Sequence, residues 1–109
     1  MAKTQLENNE EIKEIVDVIL NALPVTEIYI FGSFASGTAS EDSDYDFYVV
    51  IPDNGFRARE ATWKIREGLV GKQKRGIDML VGTQSKFNNN KNTYSIENEV
   101  AKTGVKLYG

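Results

Sequence analysis

Five residues have the types and spacing that chemistry needs: Gly32, Ser33, Asp44, Asp46 and Asp78. Gly32-Ser33 comes directly after Glu27–Phe31, a stretch rich in β-branched and aromatic residues. A glycine lets the backbone approach a ligand closely. The amides that follow, at the start of a short helical turn, point outward and attract anions. The Ser33 hydroxyl adds one more hydrogen bond. Standing alone, such a pair also serves as an ordinary turn. Asp44-Tyr45-Asp46 leads into Phe47-Tyr48-Val49-Val50-Ile51. Strand side chains alternate with a period of two, so both carboxylates point to one side. There they repel, and one pKa rises unless a cation sits between them. The other reading makes Asp44 a turn-former and Asp46 an exposed edge charge. Asp78 lies within Gly76-Ile77-Asp78-Met79-Leu80-Val81. A carboxylate there is costly to bury unpaired, so it needs Arg75 or a metal. Brought to one point, an anion cradle and three carboxylates supply what two Mg²⁺ ions and a triphosphate require.

Composition narrows the chemistry further. The 109-residue chain holds no Cys and no His. Disulfides, thiol nucleophiles, zinc knuckles and imidazole bases are therefore excluded. Any metal should be a hard cation with oxygen ligands, Mg²⁺ or Mn²⁺. The length suits one domain over residues 1–109. The longest apolar run, Phe47 to Ile51, cannot span a bilayer. The N-terminus soon turns acidic and does not read as a signal peptide, so a cytoplasmic location is expected. Residues 1–54 carry two basic and eleven acidic side chains, and residues 55–109 carry eleven basic and five acidic ones. The basic excess is densest between Arg57 and Arg75. It reads either as a solvated helix face or as an anion-binding surface turned to an acidic centre. The acidic pI of about 5.0 argues against a nucleic-acid binder.

The elements that position these residues follow from periodicity. Ile12, Ile15, Val16, Ile19 and Leu23 recur at helical spacing, with Asn8 and Glu11 as a capping pair and Pro24 as the stop. Glu27–Phe31 reads as a strand, and Phe34 to Gly37 as one helical turn closed by glycine. The spacing predicts a strand over Asp44–Ile51, a helix over Arg57–Val70 and a strand over Ile77–Val81. Asn88-Asn89-Asn90 reads as loop. A last helix over Thr93–Thr103 turns Ile96, Val100 and Thr103 inward and ends at Gly104, before an extended tail over Val105–Tyr108. Alternating elements give an α/β domain of the α+β type, with helices packed on a small mixed sheet.

Gly32-Ser33-Phe34-Ala35-Ser36-Gly37, followed after six residues by Ser43-Asp44-Tyr45-Asp46-Phe47, resembles the signature of the DNA polymerase beta superfamily of nucleotidyltransferases. The chain is similar to its minimal members, which implies the nucleotidyltransferase fold. The resemblance implies that Gly32 and Ser33 hold a nucleoside triphosphate such as ATP and that Asp44 and Asp46 bind both metals. Asp78 would complete the catalytic metal site and help to activate an acceptor hydroxyl. It also implies two Mg²⁺ (or Mn²⁺) ions. Many members carry Arg where this chain has Ser36, and often Arg where it has Phe34, so that short turn brings no cation to the phosphates.

Larger members add a helical acceptor-binding domain, so here an open cleft or a partner is expected to complete the site. Minimal members are often paired, as antitoxin, with a helical HEPN-type toxin, and some transfer AMP to a partner tyrosine. Two functions follow as expectations. One is a nucleotidyltransferase that acts on an acceptor hydroxyl. The other is an antitoxin-type binding subunit with weak or no catalysis. No membrane is expected as a partner.

Overall fold

The computed structural model describes residues 3–72 and 74–109. Helix α1 (Lys3–Glu7) precedes α2 (Glu10–Ala22). The cap of α2 is Asn9, whose side chain accepts the Ile12 amide at 3.1 Å, and not Asn8 as expected. Helix α1 occupies the preceding residues, so Asn8 falls in the turn between the two helices. Strand β1 (Glu27–Phe31), the single turn α3 (Ser33–Ser36) and strand β2 (Tyr45–Ile51) follow. Next come α4 (Ala58–Leu69), β3 (Ile77–Thr83), α5 (Gln84–Asn90), α6 (Ile96–Thr103) and β4 (Val105–Tyr108).

The four strands form one mixed sheet in the order β3-β2-β1-β4. Strand β1 runs antiparallel to β2 and β4, and β2 runs parallel to β3. Alternation then sorts the side chains. Ile28, Ile30, Tyr45, Phe47, Val49, Ile51, Ile77 and Met79 face α1, α2, α3 and α4, closing a core with Leu6, Ile12, Ile15, Ile19, Phe34, Ala61, Ile65 and Leu69. The other face carries Tyr29, Phe31, Tyr48 and Val50 against Phe87 of α5 and Val100 of α6.

That second face differs from expectation in two places. Asn88–Asn90 end helix α5 instead of forming a loop. Thr83 caps this helix, and the Phe87 ring stacks on Tyr29 at 5.4 Å between centroids, so packing overrides weak helix propensity. Ile96 is 39% exposed and Thr103 is also exposed. Ser95 caps α6, and from that start Glu97 and Val100 are the residues that turn inward.

Glu97 is buried, and its Oε2 accepts the Tyr48 hydroxyl at 2.8 Å. Tyr48 lies against Gly82, where an added Cβ would land on the hydroxyl. This bond hooks α6 to the sheet. Tyr48→Phe strands a buried carboxylate, which costs about 1–3 kcal/mol. A domain of this size should then melt roughly 5–15 °C lower. Tyr48→Phe combined with Glu97→Leu should recover most of that loss, since neither polar partner remains. Thermal melts of the single and double variants give the coupling.

Candidate active site

The topology gathers the candidate residues at one end of the sheet. Strand β1 ends where β2 and β3 begin, because β2 runs against β1 and along β3. Phe31 pairs with Asp46, and Asp46 pairs with Asp78. Gly32 and Ser33 therefore lie just beyond the two carboxylates. Asp46 is half-buried, while Asp44 and Asp78 are exposed at the rim.

Gly32 makes the sharp exit from β1 at φ 72°, ψ −146°. Only glycine adopts this backbone without strain. A Cβ there would also clash with the Asp46 Oδ2 atom. The glycine thus makes room for the Asp46 carboxylate itself. Gly37 closes α3 in the left-handed conformation and donates its N–H to the Ser33 carbonyl.

Burial pushes the Asp46 carboxyl up to about 6, with further raising from its hydrogen bond to Asp78 and from the charges of Asp78, Asp44 and Glu99. Two carboxyls in contact cannot both ionise cheaply. Glu99, on α6, is a fourth acid at this centre. No spacing in the sequence marks it, because only the docking of α6 brings it there. An open groove of about 590 Å³ lies along α6 past Glu99, lined also by Tyr94, Ile96, Asn98, Lys102 and Thr103.

The expected three-carboxylate set is only partly assembled. Among the described residues, no group of three or more His, Cys, Asp or Glu is placed so as to hold a metal ion. Asp46 and Asp78 stand together, whereas the Asp44 carboxylate rests against the Gly76 backbone, filling the space a Cβ would take. Like charges without a counter-charge separate where a loop allows it. The donor chemistry nevertheless fits a hard divalent cation: Asp46 and Asp78 offer adjacent oxygens whose repulsion such an ion relieves.

The structure decides two alternatives left open by the sequence. Arg75 does not pair with Asp78; its guanidinium turns to the carbonyls of the 40–43 loop. The basic side chains of α4 do not face the acids, because α4 packs on the opposite face of the sheet, where Ala61, Ile65 and Leu69 meet Phe47 and Val49. They form a solvated helix face.

In the metal-free protein the raised Asp46 pKa carries a definite sign. Its native pKa lies above the ordinary 3.8, so the native state holds a proton between about pH 4 and 6 that the unfolded state has lost. This group's contribution to stability therefore falls as pH rises through that window and is flat above it. With EDTA present, Asp46→Asn should melt like the parent near pH 4, progressively higher than the parent as pH rises from about 4 to 6, and higher by a constant margin above that. Paired melts across this range test the expectation; a gap independent of pH contradicts it.

The comparisons agree with this geometry. The family model of the nucleotidyltransferase domain matches residues 10–103. Comparison with curated proteins finds no match. Among solved structures, a toxin–antitoxin complex with AMP-PNP aligns at 21% identity and TM-score 0.65, over 93% of this chain and 74% of that chain. A Sulfolobus solfataricus protein described as a nucleotidyltransferase aligns at 20% identity and TM-score 0.62, over 95% and 80%. A complex of tri-AMPylated Shewanella oneidensis HEPN toxin with MNT antitoxin aligns at 18% identity and TM-score 0.58, over 99% and 73%. These likenesses concern the fold. With the family match covering residues 10–103 and the acid pair set beneath the Gly-Ser turn, the chain belongs to the nucleotidyltransferase domain family.

Proposed function

We propose that this chain, as a single domain, transfers a nucleoside monophosphate from a nucleoside triphosphate such as ATP to a hydroxyl on a HEPN-type helical partner protein in the cytosol. The observation that carries the reading is the Asp46–Asp78 pair, side by side at the strand ends with Gly32 turning over it. The relatives solved with AMP-PNP and with an AMPylated HEPN toxin support the choice of nucleotide and partner.

In this mechanism Gly32 and Ser33 hold the triphosphate through backbone amides and the Ser33 hydroxyl. Asp46 and Asp78 would hold the cation, and Asp44 would have to leave Gly76 to join them. When bound, Mg²⁺ or Mn²⁺, as two ions, supplies Lewis acidity toward the acceptor oxygen and charge neutralisation for the departing pyrophosphate. The exposed Asp78 meets the acceptor and takes up its hydroxyl proton. The acceptor oxygen bonds to the α-phosphorus while the α–β bridging bond breaks, and pyrophosphate leaves. The chain's own contribution is position and charge at fixed oxygens.

Incubation with α-labelled ATP, Mg²⁺ and a lysate containing the partner should label one protein and release pyrophosphate. A second reading is an antitoxin-type subunit that neutralises its partner by contact alone. The position of Asp44, apart from the other acids, favours it. Neutralisation by Asp46→Asn with no label transferred would select that reading.

A further inference from the structure

The loop from Thr38 to Asp44 links the Gly-Ser turn to β2 and carries the first acid of the site. Its other hydrogen bonds are local. Thr38 donates its amide to the Ser33 carbonyl, Ser43 to that of Ser40, and the Ser40 amide donates to the Ser43 hydroxyl. Among the described residues, one long-range group hydrogen-bonds to it, while Ala39 packs against the core. Arg75 Nη1 donates to the carbonyls of Ser40, Glu41 and Ser43 at 2.9, 2.9 and 2.7 Å. Three carbonyl oxygens drawn to one point repel one another, and a cation is what makes that arrangement favourable.

The guanidinium is itself fixed. Its central carbon lies 5.2 Å from the Phe34 ring centroid and 5.5 Å from that of Tyr45, and those rings touch each other at 4.6 Å between centroids, so the guanidinium is seated over a ring pair contributed by α3 and β2. Below it, the Tyr45 hydroxyl donates to Glu11 Oε1 at 2.7 Å, and Glu11 Oε2 accepts the Lys74 amide at 2.8 Å. A carboxylate on α2 therefore anchors both the ring under Arg75 and the backbone beside it. The next residue, Gly76, accepts the Tyr45 amide through its carbonyl and supports the Asp44 side chain.

We propose that Arg75 is a positioning residue: seated on the touching rings of Phe34 and Tyr45, it binds three carbonyls of the 40–43 loop and so sets where Asp44 stands relative to Asp46 and Asp78. The proposed role is holding the loop and not binding phosphate, because Nη1 is committed to the loop carbonyls. The proposal rests on the reading of this site as a transfer centre, and its test separates the two.

The experiment compares the parent, Arg75→Lys and Arg75→Ala by three readouts. In hydrogen exchange without nucleotide, amides 38–45 of Arg75→Ala should exchange at least about tenfold faster, with the β1 and β2 core unchanged. In titration with Mn²⁺ alone, affinity should fall by about 10–100-fold, the usual loss when a group supporting a ligand is removed. In transfer from labelled ATP, kcat should fall while the KM for ATP holds, and added guanidinium ion should restore part of kcat. Lysine keeps the charge without the fork, so Arg75→Lys should lie between the other two and serves in place of Arg75→Ala if that variant does not fold. Unchanged exchange at 38–45 overturns the proposal. So does a rise in KM with kcat intact, which would make Arg75 a nucleotide contact. If the parent itself transfers nothing, the transfer reading fails, and the exchange and Mn²⁺ results still decide the role of Arg75.

Discussion

Replacing Asp46 by Asn is expected to slow transfer at least about a thousandfold, a loss of roughly 4 kcal/mol of transition-state stabilisation. The same change should raise the melting temperature of the metal-free protein at neutral pH. Both effects come from one cause. Asp46 is half-buried, hydrogen-bonded to Asp78 and surrounded by the charges of Asp78, Asp44 and Glu99. An ionised carboxylate there is costly until a cation arrives. The amide removes the cost together with the function, which is the usual trade at an active site. Transfer from labelled ATP, with melts in EDTA and in Mg²⁺, measures both. Addition of Mg²⁺ and ATP should stabilise the parent and leave the variant unmoved. Asp78→Asn should keep most nucleotide affinity and transfer at least about a hundredfold more slowly, because in the proposed mechanism Asp78 is the group that meets the acceptor. Asp44→Asn asks whether the loop acid joins the other two: a loss as deep as that of Asp46→Asn means that it does. A variant of Asp46 that unfolds would instead make the residue a structural one.

The second large effect is expected at Gly32. Alanine there meets two obstacles at once. Its backbone would sit at φ 72°, ψ −146°, and its Cβ would clash with Asp46 Oδ2. The first costs on the order of 1–3 kcal/mol. The second must displace the carboxylate, since the three atoms nearest that Cβ all belong to the Asp46 side chain. Gly32→Ala should therefore lower the melting temperature and reduce transfer at least about a hundredfold with Asp46 still present, because small misplacements of reacting groups are that costly. Gly37→Ala is the control. Gly37 also has positive φ, at 81°, but it only closes α3. Its change should cost about 1 kcal/mol and spare most transfer. Equal activity in Gly32→Ala and the parent would show that the glycine does not make room for the acid.

Much of the molecule was legible in the sequence because local rules govern it. The period of two across Asp44-Tyr45-Asp46 and the following apolar run places strand β2, and the 3.6 period of Ala61, Ile65 and Leu69 places α4. Glycine punctuation identifies the turn from Gly32 to Gly37, where positive φ is required at both ends. Asp46 and Asp78 are found because a carboxylate in an apolar strand asks for an explanation, and the residue types exclude every mechanism that needs His or Cys. These features depend on residues a few positions apart, and so they show in one dimension.

Tertiary packing decided the rest. Helix α5 has weak local signals and exists because Phe87 finds Tyr29 and Tyr48. The orientation of α6 follows from the Tyr48–Glu97 bond between residues 49 positions apart, and that docking brings Glu99 to the acids. The basic charge of α4 looks complementary to the acidic centre along the chain, yet the sheet stands between them, since the strand's period of two puts Tyr45 and Phe47 on the α4 face and Asp46 on the opposite one. Arg75 is next to the Gly76–Val81 segment in sequence, but its partners are the rings of Phe34 and Tyr45 and three carbonyls more than thirty residues away. Periodicity tells which side of an element is buried; it does not tell which distant element covers that side, because that choice is made by the summed contacts of the whole core.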